Sequence, residues 1–204
     1  MFTKLLRKLA LKHINTVPDF AVGDQADPYM LRWYWIPRNR LFNIYIHEFL
    51  KDDDDRALHD HPWASLSLLV RGGMLEHHLS PNGCYPRKRY LQHGDWTYRP
   101  AQFAHRLVVP VQDLPPVTVF FTGPKIREWG FLCPKGWRHW TDYVSPDTPG
   151  AVGRGCGEMP TPTLDDLESS DIGRARINLI TILFFMIVAS VLLIWTPLIY
   201  WMFW

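Results

Sequence analysis

The chain between Pro28 and Tyr143 alternates apolar and polar positions with a period of two, broken by short turn clusters. In LFNIYIHEFL (41–50), Phe42, Ile44 and Ile46 alternate with Asn43, Tyr45 and His47. SLSLLV, MLEHHL, RYL, DWTYR, HRLVVP and VTVFF follow, separated by Arg-Gly-Gly, Ser-Pro-Asn-Gly, His-Gly-Asp and Leu-Pro-Pro. Strand-length runs at such spacing predict an all-β sandwich or barrel rather than alternating strands and helices. A closed jelly roll is one way such a fold removes its exposed edges. The pattern divides the sequence into a basic amphipathic helix (1–16), a β domain (28–143), a Pro/Gly-rich linker (145–173) and an apolar tail (177–204).

The two ends read differently. In MFTKLLRKLALKHIN, Phe2, Leu5, Leu6 and Leu9 follow helical spacing, with Lys4, Arg7, Lys8 and Lys12 on the other face. Such a helix suits an anionic membrane surface or a face of its own domain equally well. The last 28 residues, from Ile177 to Trp204, carry no charged side chain and end in aromatics. That length and composition predict a transmembrane helix, hence a tail anchor. Arg174 and Arg176 before the span place the β domain in the cytoplasm by the positive-inside rule, with the bilayer and a membrane protein complex as candidate partners. The linker holds four prolines and five glycines in 29 residues.

Composition narrows the function classes. Of 204 residues 47% are hydrophobic, 14% aromatic and 21% charged, and the net charge of +2 makes nucleic acid an unlikely partner. Three cysteines do not read as a disulfide framework and favour a reducing compartment. Seven of the nine histidines fall between His47 and His105. His59 and His61 lie two apart, so a strand presents both imidazoles on one face, where they can share a metal that takes a third ligand from elsewhere. Clustered histidines of this kind are also common as plain polar surface.

HDHPWASLSLLVRGG followed by GDWTYRPAQFAHRLVV resembles the two paired motifs of the cupin superfamily. His59, His61 and Gly72 match the first motif, with Ser65 where glutamate is usual and Asp53 where a glycine opens it. Gly94, Pro100 and His105 match the second, which departs at Gln102 and Val109. Other stretches, such as YMLRWYWIPRNRLFNIYIHEFL, look like small bacterial and phage cupin proteins. The resemblance implies a double-stranded β-helix and a metal held by His59, His61 and His105. A three-histidine cupin site is similar to that of the thiol dioxygenases, which implies Fe(II), with Zn(II) or another divalent ion as alternatives. Glu76 is an alternative ligand if the hairpin folds it inward. Ser65, Arg71 and Arg106 are candidate contacts for a small-molecule substrate, the arginines through fork-like carboxylate binding.

Two functions follow from this reading. One is a membrane-tethered iron dioxygenase acting on a small thiol or other chelating molecule. The alternative is a non-catalytic metal- or ligand-binding or assembly module docked to a membrane complex.

Overall fold

In a computed structural model of the chain, residues 2–157 are described, apart from 25, 54–56, 81–82, 84–85, 111–113 and 148–150. Among the described residues, twelve strands and two helices run in the order α1 (Phe2–His13), β1 (Phe20–Gly23), β2 (Pro28–Tyr34), β3 (Asn43–Phe49), β4 (Leu58–His59), β5 (Ser65–Arg71) and β6 (Gly73–Leu79). They continue through β7 (Pro86–Gln92), β8 (Trp96–Arg99), β9 (His105–Val108), β10 (Val117–Thr122), β11 (Gly130–Cys133), β12 (Gly136–His139) and α2 (Trp140–Tyr143). Two antiparallel six-stranded sheets result. One has the order β1-β2-β3-β10-β5-β8 and the other β12-β11-β4-β9-β6-β7. The fold is an all-β, cupin-like double sheet with a short amino-terminal helix.

The alternation of β3 works in an unexpected direction. Ile44 and Ile46 do not fill the space between the sheets. They join Trp33, Leu68, Val70, Val117, Val119 and Phe121 in a cluster roofed by Leu6 and Ala10 of α1. The first sheet is therefore apolar on its outer face because a helix covers it. Its inner face carries the intervening residues, and Tyr45 and His47 are 5% and 4% exposed. A second cluster lies between the sheets, where Met30, Phe49 and Leu69 meet Met74, Leu91 and Leu107. That apolar plug fills one end of the interior, leaving polar side chains at the other.

Helix α1 packs on its own domain through Leu6, Ala10 and the half-buried Phe2, Leu11 and Ile14, while Leu9 is 41% exposed. The buried stripe is Phe2, Leu6 and Ala10 at four-residue steps, rotated from the Leu5–Leu9 side, because small Ala10 permits close approach to the sheet.

The tail expectation is corrected. Among the described residues no helix is long and apolar enough to cross a membrane, and Ile177 to Trp204 lies outside them. Nothing in the described residues supports a membrane anchor, a bilayer or membrane-complex partner, or a tail-anchored cytoplasmic location. The cysteine reading is corrected too, because Cys133 and Cys156 form a disulfide. It ties the start of the Pro/Gly-rich stretch to β11 beside Phe131 and Tyr143. Ser145 N donates to Ala151 O, and Gly153 N and Gly155 N donate to Tyr143 O. Residues 151–157 thus fold back onto the barrel, whereas Cys84 lies outside the described residues.

Truncating Leu6 to alanine should destabilise the protein by about 2–4 kcal/mol in urea unfolding, since it opens the roof over the first sheet. The exposed Lys8 on the same helix should tolerate alanine within about 0.5 kcal/mol. Equal effects at the two positions would mean that α1 does not stabilise the sheet through its apolar face.

Candidate metal centre

Two short strands of the second sheet bring the motif histidines together. The two-residue strand β4 pairs with β9 at a single position, His59 opposite His105, so both side chains emerge on the same side. His61 follows two residues later and keeps that side, and its backbone N–H donates to Ala101 O. Asp60 points the other way, as the spacing requires. It is buried and accepts from Gly130 N, Trp137 Nε1 and Arg127 Nη1, which locks the turn between the histidines to β11 and β12.

The imidazoles form a compact donor set. One ligating atom from each of His59, His61 and His105 lies within 4.8 Å of the others. His61 Nε2 and His105 Nε2 are 3.0 Å apart. Two nitrogens bound to one ion at about 2.1 Å, at angles between octahedral and tetrahedral, stand roughly 3.0–3.4 Å apart, so this spacing fits a shared cation. The residues present fit a divalent metal.

The orientation of His105 has a clear cause. Its Nδ1 lies 2.8 Å from Glu76 Oε1. An ionised carboxylate only accepts, so Nδ1 carries the proton and the Nε2 lone pair faces His61. Glu76, fully buried on β6, is itself held by Arg99 Nε at 2.6 Å and by the Arg89 guanidinium. Arg99 Nη1 in turn donates to Ser67 Oγ at 2.8 Å. Burial alone pushes the Glu76 carboxyl up. The His105 hydrogen bond and the positive charges of Arg99 and Arg89 outweigh it and hold the group well below the usual carboxylate range. Burial drives the other side of the pair the opposite way. It lowers His105 to about 3 against the pull of Glu76, with Arg99 and His59 adding to the effect. Burial, His59, His105, Arg99 and Arg32 also lower His61 well below its ordinary value. His61 and His105 are therefore neutral donors near neutral pH.

The other sequence candidates fall in different places. Glu76 is inside, as the inward-folding alternative requires, but it is bound to His105 and two arginines and stands outside the histidine donor group. Ser65 is fully buried, and its Oγ has no hydrogen-bond partner. Arg71 is committed elsewhere: it pairs with Glu48 and donates from Nε to Pro115 O at 2.8 Å. It sits at the opposite end of β5 from Ser65, roughly 20 Å along the strand. Arg106 alternates away from His105 and Leu107 and lies 3.7 Å from Asp52 Oδ2. The Asp52 and Asp53 carboxylates accept from Val109 N and Leu107 N, both at 2.7 Å. His139 caps α2, away from the donor set.

The sequence did not single out Arg32, and it offered Glu76 only as an alternative ligand. Arg32 projects from β2 on the inner side, between Met30 and Tyr34, and its Nε donates to His47 Nε2 at 2.9 Å. Glu76 as an orienting residue was also missed. Its signal was the parity of Met74 and Glu76 on β6, which places the carboxylate on the face that carries core methionine.

No family model matches the chain, and no curated protein matches it. Solved structures with related architecture include an RmlC-like cupin from Shewanella frigidimarina, 16% identical over 53% of this chain and 88% of that one, with a TM-score of 0.39. A cupin superfamily protein from Desulfitobacterium hafniense is 14% identical over 47% of this chain and 77% of that one, with a TM-score of 0.37. Hydroxypropylphosphonic acid epoxidase from S. wedmorenis is 13% identical over 52% of this chain and 57% of that one, at a TM-score of 0.40. This chain thus spans less than two thirds of the epoxidase. The cupin-like description rests on the strand order of the two sheets, and the capacity for a metal on the three histidines themselves.

Proposed function

We propose that this chain is a metal-dependent ligand-binding module, holding one divalent transition ion through His59, His61 and His105, with Fe(II) ahead of Zn(II). The observation that supports it most is the convergence of three imidazoles, one fixed in tautomer by a buried carboxylate. Imidazole donors suit iron, zinc and their neighbours rather than calcium or magnesium. Three neutral ligands leave the ion's charge undiminished, so a bound metal supplies a Lewis-acidic position for an anionic or chelating molecule.

The surrounding residues favour binding over turnover. Glu76 holds the Nδ1 proton of His105 and is saturated by arginines, so it does not serve as a base toward a ligand. Ser67 and Arg99 support Glu76 from behind. His59 and His61 are half-buried, and His105 is buried behind them.

Purified anaerobically under conditions that preserve iron, the full chain should contain close to one transition ion per molecule by elemental analysis. Replacing His61 with alanine should remove it, because two imidazoles hold a divalent ion poorly. Full occupancy in that variant would transfer the site to other residues.

Acid should weaken the metal-free protein in a defined window. His105 has its folded pKa depressed to about 3, below the roughly 6.5 of an unfolded histidine. Between those values the unfolded chain binds more protons than the native one, so stability rises with pH. Its contribution is present above about pH 6.5 and is lost as the pH falls toward 3, at about 1 kcal/mol per pH unit for each such histidine. Urea midpoints of the apo-protein from pH 7 to pH 4 check this. A flat profile would show that these histidines are not buried as neutral groups.

A further inference from the structure

The inner face of the first sheet holds a second cluster of charge that the metal reading does not use. It centres on Arg32. The guanidinium is half-buried and its Nε is occupied by His47 Nε2 at 2.9 Å. Among the described residues it forms no ion pair with a carboxylate; its charged and ionisable neighbours are Tyr29, Tyr45, Tyr34 and Arg38. The other arginine of the interior makes the contrast. Arg99 is buried as well, but Glu76 and Ser67 satisfy it. Withdrawing a cation from water without a counter-charge is costly, and here a second cation, Arg38, stands near the first.

The frame around Arg32 is rigid and aromatic. Its carbon Cζ lies 5.0 Å from the centre of the Tyr45 ring, and that of Arg38 lies 5.5 Å from the centre of Tyr34. His47 fixes the fork at Nε and leaves the two terminal nitrogens for a partner. His47 is itself 4% exposed, and its ring centre lies 5.0 Å from that of Phe120 in a tilted arrangement. Phe120 is the link to the metal centre, since its ring centre lies 6.4 Å from that of His61. Two buried hydroxyls on the same sheet, Thr118 Oγ1 opposite His47 and Ser65 Oγ farther along, have no hydrogen-bond partner. A wall with an uncompensated guanidinium and two orphaned hydroxyls is built for a polar guest.

We propose that Arg32, backed by His47 and flanked by Tyr34, Tyr45 and Arg38, binds the carboxylate of a small molecule whose other end faces His59, His61 and His105 across Phe120. This names the ligand class of the metal-binding reading and rests on it only for the second end of the ligand. Planar bidentate pairing suits a carboxylate better than a point anion, because one edge of the fork is already taken. The desolvation that lowers the Arg32 pKa agrees with a site that awaits a counter-charge. Arg32 thus takes the part that the sequence reading gave to Arg71.

The test is calorimetric titration of the full chain, metal-free and loaded with Co(II), using acetate, benzoate and phenylacetate, with benzamide as the neutral counterpart of benzoate. At least one carboxylate should bind the metal-free protein, and benzoate should bind about tenfold or more tightly than benzamide. Arg32→Met should abolish the preference for the carboxylate, while Arg71→Met should leave it unchanged. Should Arg32→Met fail to fold, Arg32→Lys replaces it and should weaken carboxylate binding at least about fivefold, since it keeps charge and loses the fork. The proposal is overturned by no carboxylate binding up to about 10 mM, by equal binding of benzoate and benzamide, or by undiminished binding in the Arg32 variant. Loss of the metal reading alone would appear as carboxylate binding without Co(II) binding, and loss of this proposal alone as the reverse.

Discussion

The buried carboxylate of Glu76 is the constraint on which the rest of the second sheet depends. It lies on β6 and accepts from His105 on β9, Arg99 on β8 and Arg89 on β7, so a single anion joins four strands and both sheets. A lone carboxylate in that position would be neutralised by protonation or excluded by its desolvation cost. Two guanidiniums and an imidazole N–H keep it ionised. The same arrangement points the free nitrogen of His105 toward His61. Stability of the barrel and readiness of the donor set therefore rest on one network, and a change that weakens it should affect both.

The interior is divided by chemistry. Met30, Phe49, Leu69, Met74, Leu91 and Leu107 pack one part as ordinary core, and the remaining inner surface carries histidine, arginine, tyrosine and hydroxyl side chains. Such a surface is possible because apolar burial is moved outside. Helix α1 closes the outer face of the first sheet and supplies the stabilisation that a dry barrel interior would otherwise give. The Cys133–Cys156 disulfide and the Asp60 hub do the corresponding work at the β11–β12 end, next to the histidine pair.

Much of this is legible in the sequence, and the gaps have physical reasons. Alternation and turn residues predict β strands across 41–121, and the resemblance to the cupin motifs implies the set of His59, His61 and His105 that the structure brings together as a donor group. Alternation does not say which face is inside. In β3 the apolar residues lie under a helix and the polar ones face the interior, the reverse of the usual pattern. For that reason Arg32 and His47 escaped notice as a pair. Arg71 was a candidate substrate contact, but a register shift between Val117 and Thr118 in the β10–β5 pairing sets it opposite Val117, and it pairs with Glu48. Cys133 and Cys156 are far enough apart in sequence that only the return of 151–157 to the barrel reveals their pairing. The apolar tail was read by length and charge, a rule about sequence segments, and the described residues contain no membrane-crossing helix to support an anchor.

The most direct measurement is the Co(II) dissociation constant of the wild-type chain beside Glu76→Gln, on samples with native near-ultraviolet circular dichroism. The glutamine keeps the shape and an acceptor oxygen for His105 but removes the charge that fixes its tautomer. If Glu76 orients the donor set, affinity should fall about 10–100-fold while the three histidines remain in place. An unchanged dissociation constant would contradict the account, because it would mean that the metal-binding geometry does not depend on the buried carboxylate.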